Sequence, residues 1–129
     1  MGTTQLTRDL EAALNGLSDA TFLDLLIAVV AMGMAASACD GELHPAELAE
    51  LDAFVTSVGG SALPDWVKAD IAALRADPPA FEEALTLVRK VNRVWWGLFD
   101  QVIDVVIAAD GVLRPEEEAF RARWTAVAS

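Results

Sequence analysis

The chain has 129 residues, and its nine basic and twenty acidic side chains give a net charge of −11 at pH 7. This charge disfavours nucleic acid as a partner, because such binding depends on Lys and Arg that neutralise phosphates, and it favours cations or basic protein surfaces. The single cysteine, Cys39, excludes a disulfide within the chain and fits a reducing, cytoplasmic compartment, and the length suits one domain over residues 1–129.

The sequence is rich in Ala and Leu and lacks Tyr, which predicts an all-α fold. A first helix is expected over about 4–14, and its polar, amphipathic residues are not typical of a signal peptide. Ser18 is a good N-cap for a second helix that continues to Cys39. The apolar run 25–39 is shorter than the roughly 20 residues of a spanning helix, so no transmembrane segment is predicted. We expect instead a helix that is buried on most sides.

Prolines and glycines delimit the remaining predicted helices. Nothing obvious breaks the helical pattern from Phe81 to Ala109. A bend is nevertheless expected near Val91–Arg93, because a phrase at 40–47 recurs at 110–117 and the helix before its first copy has about twenty residues. About seven helices result, and the last five occupy about 45–58, 64–76, 79–91, 93–109 and 115–126.

An eight-residue phrase occurs twice, as DGELHPAE at residues 40–47 and as DGVLRPEE at residues 110–117. Each copy lies between a long apolar helix and an amphipathic helix, so the chain reads as two helix–turn–helix units, at about 18–58 and 93–127. Neither unit can bury its apolar face alone. We therefore expect the two units to pack against each other.

Turn chemistry explains most of the repeated phrase without a ligand. Gly41 and Gly111 suit a positive φ at a helix end, and Pro115 suits a first helical position, where no N–H is missed. Glu47 and Glu117 then occupy the third helical position, where a carboxylate interacts favourably with the helix dipole and can reach back to the N-cap amide.

The aspartates of the phrase fit this explanation less well. Asp40 and Asp110 lie at the carboxyl ends of helices, where the dipole disfavours negative charge, and Asp100 and Asp104 precede Asp110 at helical spacing. An accumulation of carboxylates favours a divalent cation, which takes several oxygen ligands. Two alternatives stay open. In the first, the aspartates form hydrogen bonds only to their own turns or to water. In the second, nearby cations neutralise them, and the candidates are Arg89, Lys90 and Arg93.

A complete EF-hand is excluded by counting along the phrase. If Asp40 held the fifth loop position and Glu47 the twelfth, the first and third positions would be Ala36 and Ala38. Alanine cannot ligate through its side chain, and the second copy has Val106 and Ala108 at these positions. Any metal must therefore be shared by carboxylates from different helices.

The pattern A-x-D-G-x-L-x-x-x-E, which begins at Ala38 and again at Ala108, resembles the TerB-like tellurite-resistance family over about residues 18–127. The resemblance implies a compact seven-helix bundle with internal pseudo-twofold symmetry. It also implies a divalent-metal role for the acidic residues of the motif, which are here Asp40, Glu47, Asp110 and Glu117. Domains of this type occur in bacterial stress-response proteins and at the start of membrane-anchored DnaJ-like chaperones. His44 and Arg114 depart from the small capping residue that is usual in the family.

Other residue types point to no further chemistry. Cys39 and His44 lie near one acidic turn, but four convergent N or S ligands are missing, so zinc is disfavoured and Cys39 is expected in the core. Trp66 and Trp124 are also expected in the core, whereas an exposed Trp95 or Trp96 would mark a protein contact. The sequence contains no phosphate loop, nucleophile elbow or convincing Cys–His dyad, so we predict no enzymatic activity.

The acidic turns predict binding of Ca²⁺, Mn²⁺ or Mg²⁺, and the resemblance to the TerB-like family implies a non-enzymatic stress-response module. The expected ligands are Asp40, Glu47, Asp110 and Glu117, with Asp104 and Glu42 as additional candidates. The alternative is a metal-free interaction module whose acidic face docks a protein partner with a basic surface. Association with a membrane would then be peripheral and would depend on such partners.

Overall fold

The computed structural model describes residue 8 and residues 19–39, 45–46, 49, 52–53, 63–108 and 114–128. Within these residues the fold is all-α and contains no strand, as the composition predicts. The described helices are α1 (Asp19–Ser37), α2 (Asp65–Ala76), α3 (Phe81–Val88), a 3₁₀ turn (Arg93–Trp95), α4 (Gly97–Ala108) and α5 (Pro115–Ala128).

Several predictions lie outside the described residues. They include the bounds of the helices expected at 4–14 and 45–58, both DGxLxP turns, and therefore the pairing of the two repeat units. In the second of these segments the backbone is helical at every described residue, which agrees with a helix there. These residues are Pro45, Ala46, Ala49, Asp52 and Ala53.

Helix α1 lies at the centre of the described fold and contacts α2, α3 and α4. Its side chains from Ala28 to Ser37 are all buried, so this helix has no solvent face over its second half. The prediction of a helix buried on most sides is confirmed, with an end at Ser37 instead of Cys39. No helix among the described residues is long and apolar enough to cross a membrane.

The expected bend between α3 and α4 is present at the predicted position. The chain leaves α3 through a turn in which the Val91 N–H donates to the Val88 carbonyl at 2.9 Å, and the 3₁₀ turn follows directly. The Trp96 indole N–H donates to the Val91 carbonyl at 3.1 Å, which satisfies an acceptor that no continuing helix would use. Val91 itself is buried, so the bend is fixed by packing as well as by hydrogen bonds.

An aromatic cluster joins α5 to the rest of the fold. Trp124 is fully buried, as predicted, and its ring centroid lies 5.6 Å from that of Trp96 and 5.8 Å from that of Phe99. On the same helix, Phe120 packs edge-to-face on Phe81 of α3 at 5.2 Å. These contacts make α5 the element that covers the junction of α3 and α4.

Helix α5 begins at Pro115, as predicted, but it ends at Ala128, two residues later than expected. A long-range hydrogen bond accounts for the extension, because the Arg93 guanidinium donates to the Ala128 carbonyl at 2.8 Å. A cation that bonds a terminal carbonyl satisfies one of the acceptors that a helix end leaves free.

The prediction that Trp66 lies in the core is wrong. Trp66 is 51% exposed, and no other large apolar side chain among the described residues is exposed. Helix α2 turns Val67 and the partly buried Ile71 and Leu74 toward the core, and Trp66 precedes this stripe by about 100° of helical rotation. Hydrophobicity alone predicted the wrong side of the helix for this residue.

Candidate acidic site at the start of the last helix

Two of the six predicted ligand residues lie among the described residues, namely Asp104 on α4 and Glu117 on α5. The other four, Asp40, Glu42, Glu47 and Asp110, lie outside them. The distance between the two acidic turns therefore lies outside the described residues, and the described candidates both belong to the second unit.

Glu117 lies at the third helical position, as expected, and it is buried, with 1% of its surface exposed. Pro115 places it at the third position of α5, and it shares a helix face with Phe120 and Trp124, three and seven residues later. Both aromatic residues are buried, so the rotation of α5 that buries them also takes the carboxylate out of water. The sequence contained this signal, because an acid in phase with two aromatic residues lies on the apolar face.

The two carboxylate oxygens of Glu117 have different environments. Oε1 accepts a hydrogen bond from Arg114 Nη1 at 2.9 Å, which forms an ion pair across one helical turn. Oε2 is buried and has no hydrogen-bond partner among the described residues. A buried oxygen without a donor is unfavourable by roughly 1–3 kcal/mol, so such an atom calls for a donor or a cation. Arg114, which departs from the family pattern, thus provides a hydrogen-bond donor for one of the two carboxylate oxygens.

Asp104 and Asp100 share one cation, which belongs to Arg121. Arg121 of α5 donates from Nη1 to Asp100 Oδ1 at 2.7 Å and approaches Asp104 Oδ1 with Nε at 3.1 Å. The Trp124 indole N–H also donates to Asp100 Oδ1, at 2.5 Å. One arginine therefore bridges two carboxylates that would otherwise repel each other one turn apart.

Pairing with nearby cations was one of the alternatives for Asp100 and Asp104. The cation is Arg121, which is not one of the candidates that the sequence suggested. Arg93 instead bonds the end of α5 and stacks on the Trp96 ring at 4.6 Å. Arg121 was missed because it lies 17 and 21 residues from the two aspartates in sequence. Only the packing of α5 on α4 brings the groups together.

Cys39 is a free, half-buried cysteine that packs against the core, so its expected core location is found in part. It lines a pocket of about 460 Å³ between α1, α3 and α5, together with Phe81, Phe120 and Arg123. The Arg123 guanidinium stacks on the Phe81 ring at 4.4 Å and pairs with Glu82. Within the described part of the chain, no three His, Cys, Asp or Glu side chains converge as metal ligands.

Comparison of the chain with protein-family models, with curated proteins and with solved structures finds no match. The resemblance to the TerB-like family therefore depends on the repeated phrase alone. Any functional assignment has to come from the chemistry of the chain's own residues.

Proposed function

We propose that the protein is a non-enzymatic, TerB-like stress-response module that binds a divalent cation at its acidic turns. The observation that carries the proposal is the buried Glu117 carboxylate, of which Oε2 has no donor among the described residues. A cation shared with Asp110, seven residues earlier in the same phrase, would supply the missing partner. By sequence symmetry, Asp40 and Glu47 provide the equivalent pair in the first copy.

Oxygen-rich sites of this kind favour Ca²⁺, Mn²⁺ or Mg²⁺ over zinc, which prefers nitrogen and sulfur ligands. Arg121 approaches both oxygens of the Asp104 carboxylate, Oδ1 with Nε at 3.1 Å and Oδ2 with Nη2 at 3.5 Å, whereas Arg114 leaves Oε2 of Glu117 without a donor among the described residues. We therefore leave Asp104 out of the proposed ligand set. The set is then Asp110 with Glu117, and Asp40 with Glu47.

Calorimetric titration with Ca²⁺, Mn²⁺, Mg²⁺ and Zn²⁺ tests this proposal. The wild-type chain should show saturable binding, and Asp110→Asn and Glu117→Gln should each weaken it at least about tenfold, the effect of losing roughly 1.4 kcal/mol of binding free energy. Glu118→Gln is the matched control, because it removes one charge from an exposed neighbour on the same helical turn. No heat and no thermal stabilisation at millimolar metal would contradict the proposal, since a bound ligand must stabilise the folded state.

A second candidate function, a metal-free module that docks a basic protein partner on an acidic face, is favoured by a separate observation. Trp66 is exposed on α2, and Asp70 on the same helix and Asp77 at its C-cap have no ion-pair partner among the described residues. Such a module should bind a cationic peptide in the presence of EDTA, and the affinity should fall as salt is raised. If EDTA abolishes the binding, only the metal-dependent candidate remains.

A further inference from the structure

A groove of about 410 Å³ runs between α1, α2 and α3. Its apolar side chains are the half-buried Ile27, Leu74 and Leu87, one from each helix. Its charged lining consists of three carboxylates, which belong to Asp70, Asp77 and Glu83. No basic side chain lines the groove within the described part of the chain. A small apolar depression with an exclusively acidic edge is thus present on the surface.

Helix α2 places an aromatic residue at one end of this groove. Trp66 precedes Asp70 by four residues and Ala73 by seven, so the three lie on one stripe of the helix beside its core-facing side. Asp70 and Ala73 both line the groove, and Trp66, which does not line it, precedes Asp70 by one turn of the same helix. The 51% exposure of this residue leaves the indole accessible to a ligand seated there.

The charges of α2 are segregated around the helix. Lys68 and Arg75, which are the two cations of α2, lie about 140–180° around the helix from Asp70 and Trp66. Arg75 pairs at 2.8 Å with Asp52 on that opposite side. Within the described part of the chain, no cation pairs with Asp70 or Asp77, both of which line the groove.

We propose that this groove binds a basic amphipathic segment of a partner protein. One or two aliphatic side chains of the segment occupy the floor formed by Ile27, Leu74 and Leu87, and flanking Lys or Arg side chains pair with Asp70 and Asp77. The exposed Trp66 ring receives either a further aliphatic side chain or a cation on its face. The apolar floor distinguishes this site from an ion site, since a bare cation gains nothing from aliphatic side chains.

This inference rests on the second candidate function, for which it supplies the docking site and the chemistry of the partner. The volume suits a few side chains and not a whole helix. Binding should therefore be of moderate affinity and strongly dependent on salt, because the paired charges remain close to solvent.

The test uses a fluorescein-labelled peptide with Leu at helical spacing and Lys at the other positions, and it measures anisotropy in EDTA. The wild-type chain should bind this peptide but not its counterpart in which every Lys is Glu. Asp70→Asn/Asp77→Asn and, separately, Trp66→Ala should each weaken binding about tenfold, which corresponds to roughly 1.4 kcal/mol. All three side chains are exposed, so these variants should keep their fold, which circular dichroism can verify.

The matched control is Glu116→Gln/Glu118→Gln, which removes the same two charges from exposed positions of α5, a helix that does not line the groove. It should change the affinity less than about twofold, as a distant surface charge acts only through the screened field. If the control weakens binding as much as Asp70→Asn/Asp77→Asn does, the groove is wrong and net charge alone attracts the peptide. If the wild-type chain does not bind the peptide at all, the groove and the second candidate function both fail.

Discussion

Two helix surfaces of this molecule each carry two aspartates and a tryptophan, but only one of them has its aspartates paired with an arginine. On α4, Asp100 and Asp104 share Arg121 of α5, and the neighbouring Trp124 is buried and bonded to Asp100. We call the α4 surface closed, because side chains of α5 occupy the hydrogen-bonding groups of its carboxylates.

We call the corresponding surface of α2 open, because no described side chain pairs with its carboxylates. Asp70 and Asp77 have no ion pair among the described residues, and Trp66 is exposed on the same stripe of the helix. An acid pair near a tryptophan is thus structural where another helix supplies a cation, and it is available for a partner where none does. The difference lies in the neighbouring helix and not in the acidic residues themselves.

The largest expected contrast between the two surfaces is in stability. Trp124→Ala should lower the free energy of unfolding by about 3–5 kcal/mol, because it empties a buried site that contacts Trp96 and Phe99. Trp66→Ala, the matched exposed substitution, should change it by no more than about 0.5 kcal/mol. Urea denaturation monitored by circular dichroism measures both, and similar losses for the two variants would contradict the assigned burial.

A smaller effect should follow from opening the closed surface. Arg121→Gln leaves Asp100 and Asp104 without their shared cation and should cost about 0.5–1 kcal/mol, a modest value because the three side chains are 35–61% exposed. The loss should shrink when the salt concentration is raised, since screening weakens both the lost attraction and the remaining repulsion.

Arg75→Gln is the control for this prediction, because it removes one exposed ion pair, with Asp52, instead of two. It should destabilise the protein less than Arg121→Gln does. Equal losses that do not respond to salt would show that Arg121 acts through packing of its side chain and not as a bridge.

The smallest effect is expected at the open surface. Asp70→Asn/Asp77→Asn should leave stability unchanged or raise it by up to about 0.5 kcal/mol, because no ion pair is lost and a negative charge is removed beside the carboxyl end of α2. Thermal denaturation at low salt is the measurement. A clear destabilisation would mean that these carboxylates support the fold, and it would weaken the proposed docking role.

The positions of the described helices could largely be predicted from sequence. Apolar periodicity with Pro64 and Pro115 gave the starts of two helices to within one residue, and the bend was expected at Val91–Arg93, where the chain does turn. The helix starts follow from proline geometry, which is local chemistry, and the bend follows from the helix length before the first copy of the repeated phrase.

The properties of the candidate sites could not be predicted in the same way. The bridge from Arg121 depends on contact between two helices, the exposure of Trp66 on the rotation of α2, and the burial of Glu117 on the rotation of α5. Helical phase could have revealed the last of these, because Glu117 is in register with Phe120 and Trp124. The first needs tertiary structure, since no local pattern relates residues 17 to 21 positions apart.

The central claim, that the carboxylate of Glu117 belongs to a cation site and that the open surface on α2 does not, is tested most directly by Mn²⁺ titration of the ¹⁵N-labelled chain. Paramagnetic broadening is strongest near the bound ion and therefore locates it. We expect the amides of Arg114, Glu116, Glu117 and Glu118 to broaden first, while those of residues 66–77 keep their intensity. Broadening centred on Asp70 and Asp77, or equal loss at all exposed carboxylates, would contradict it.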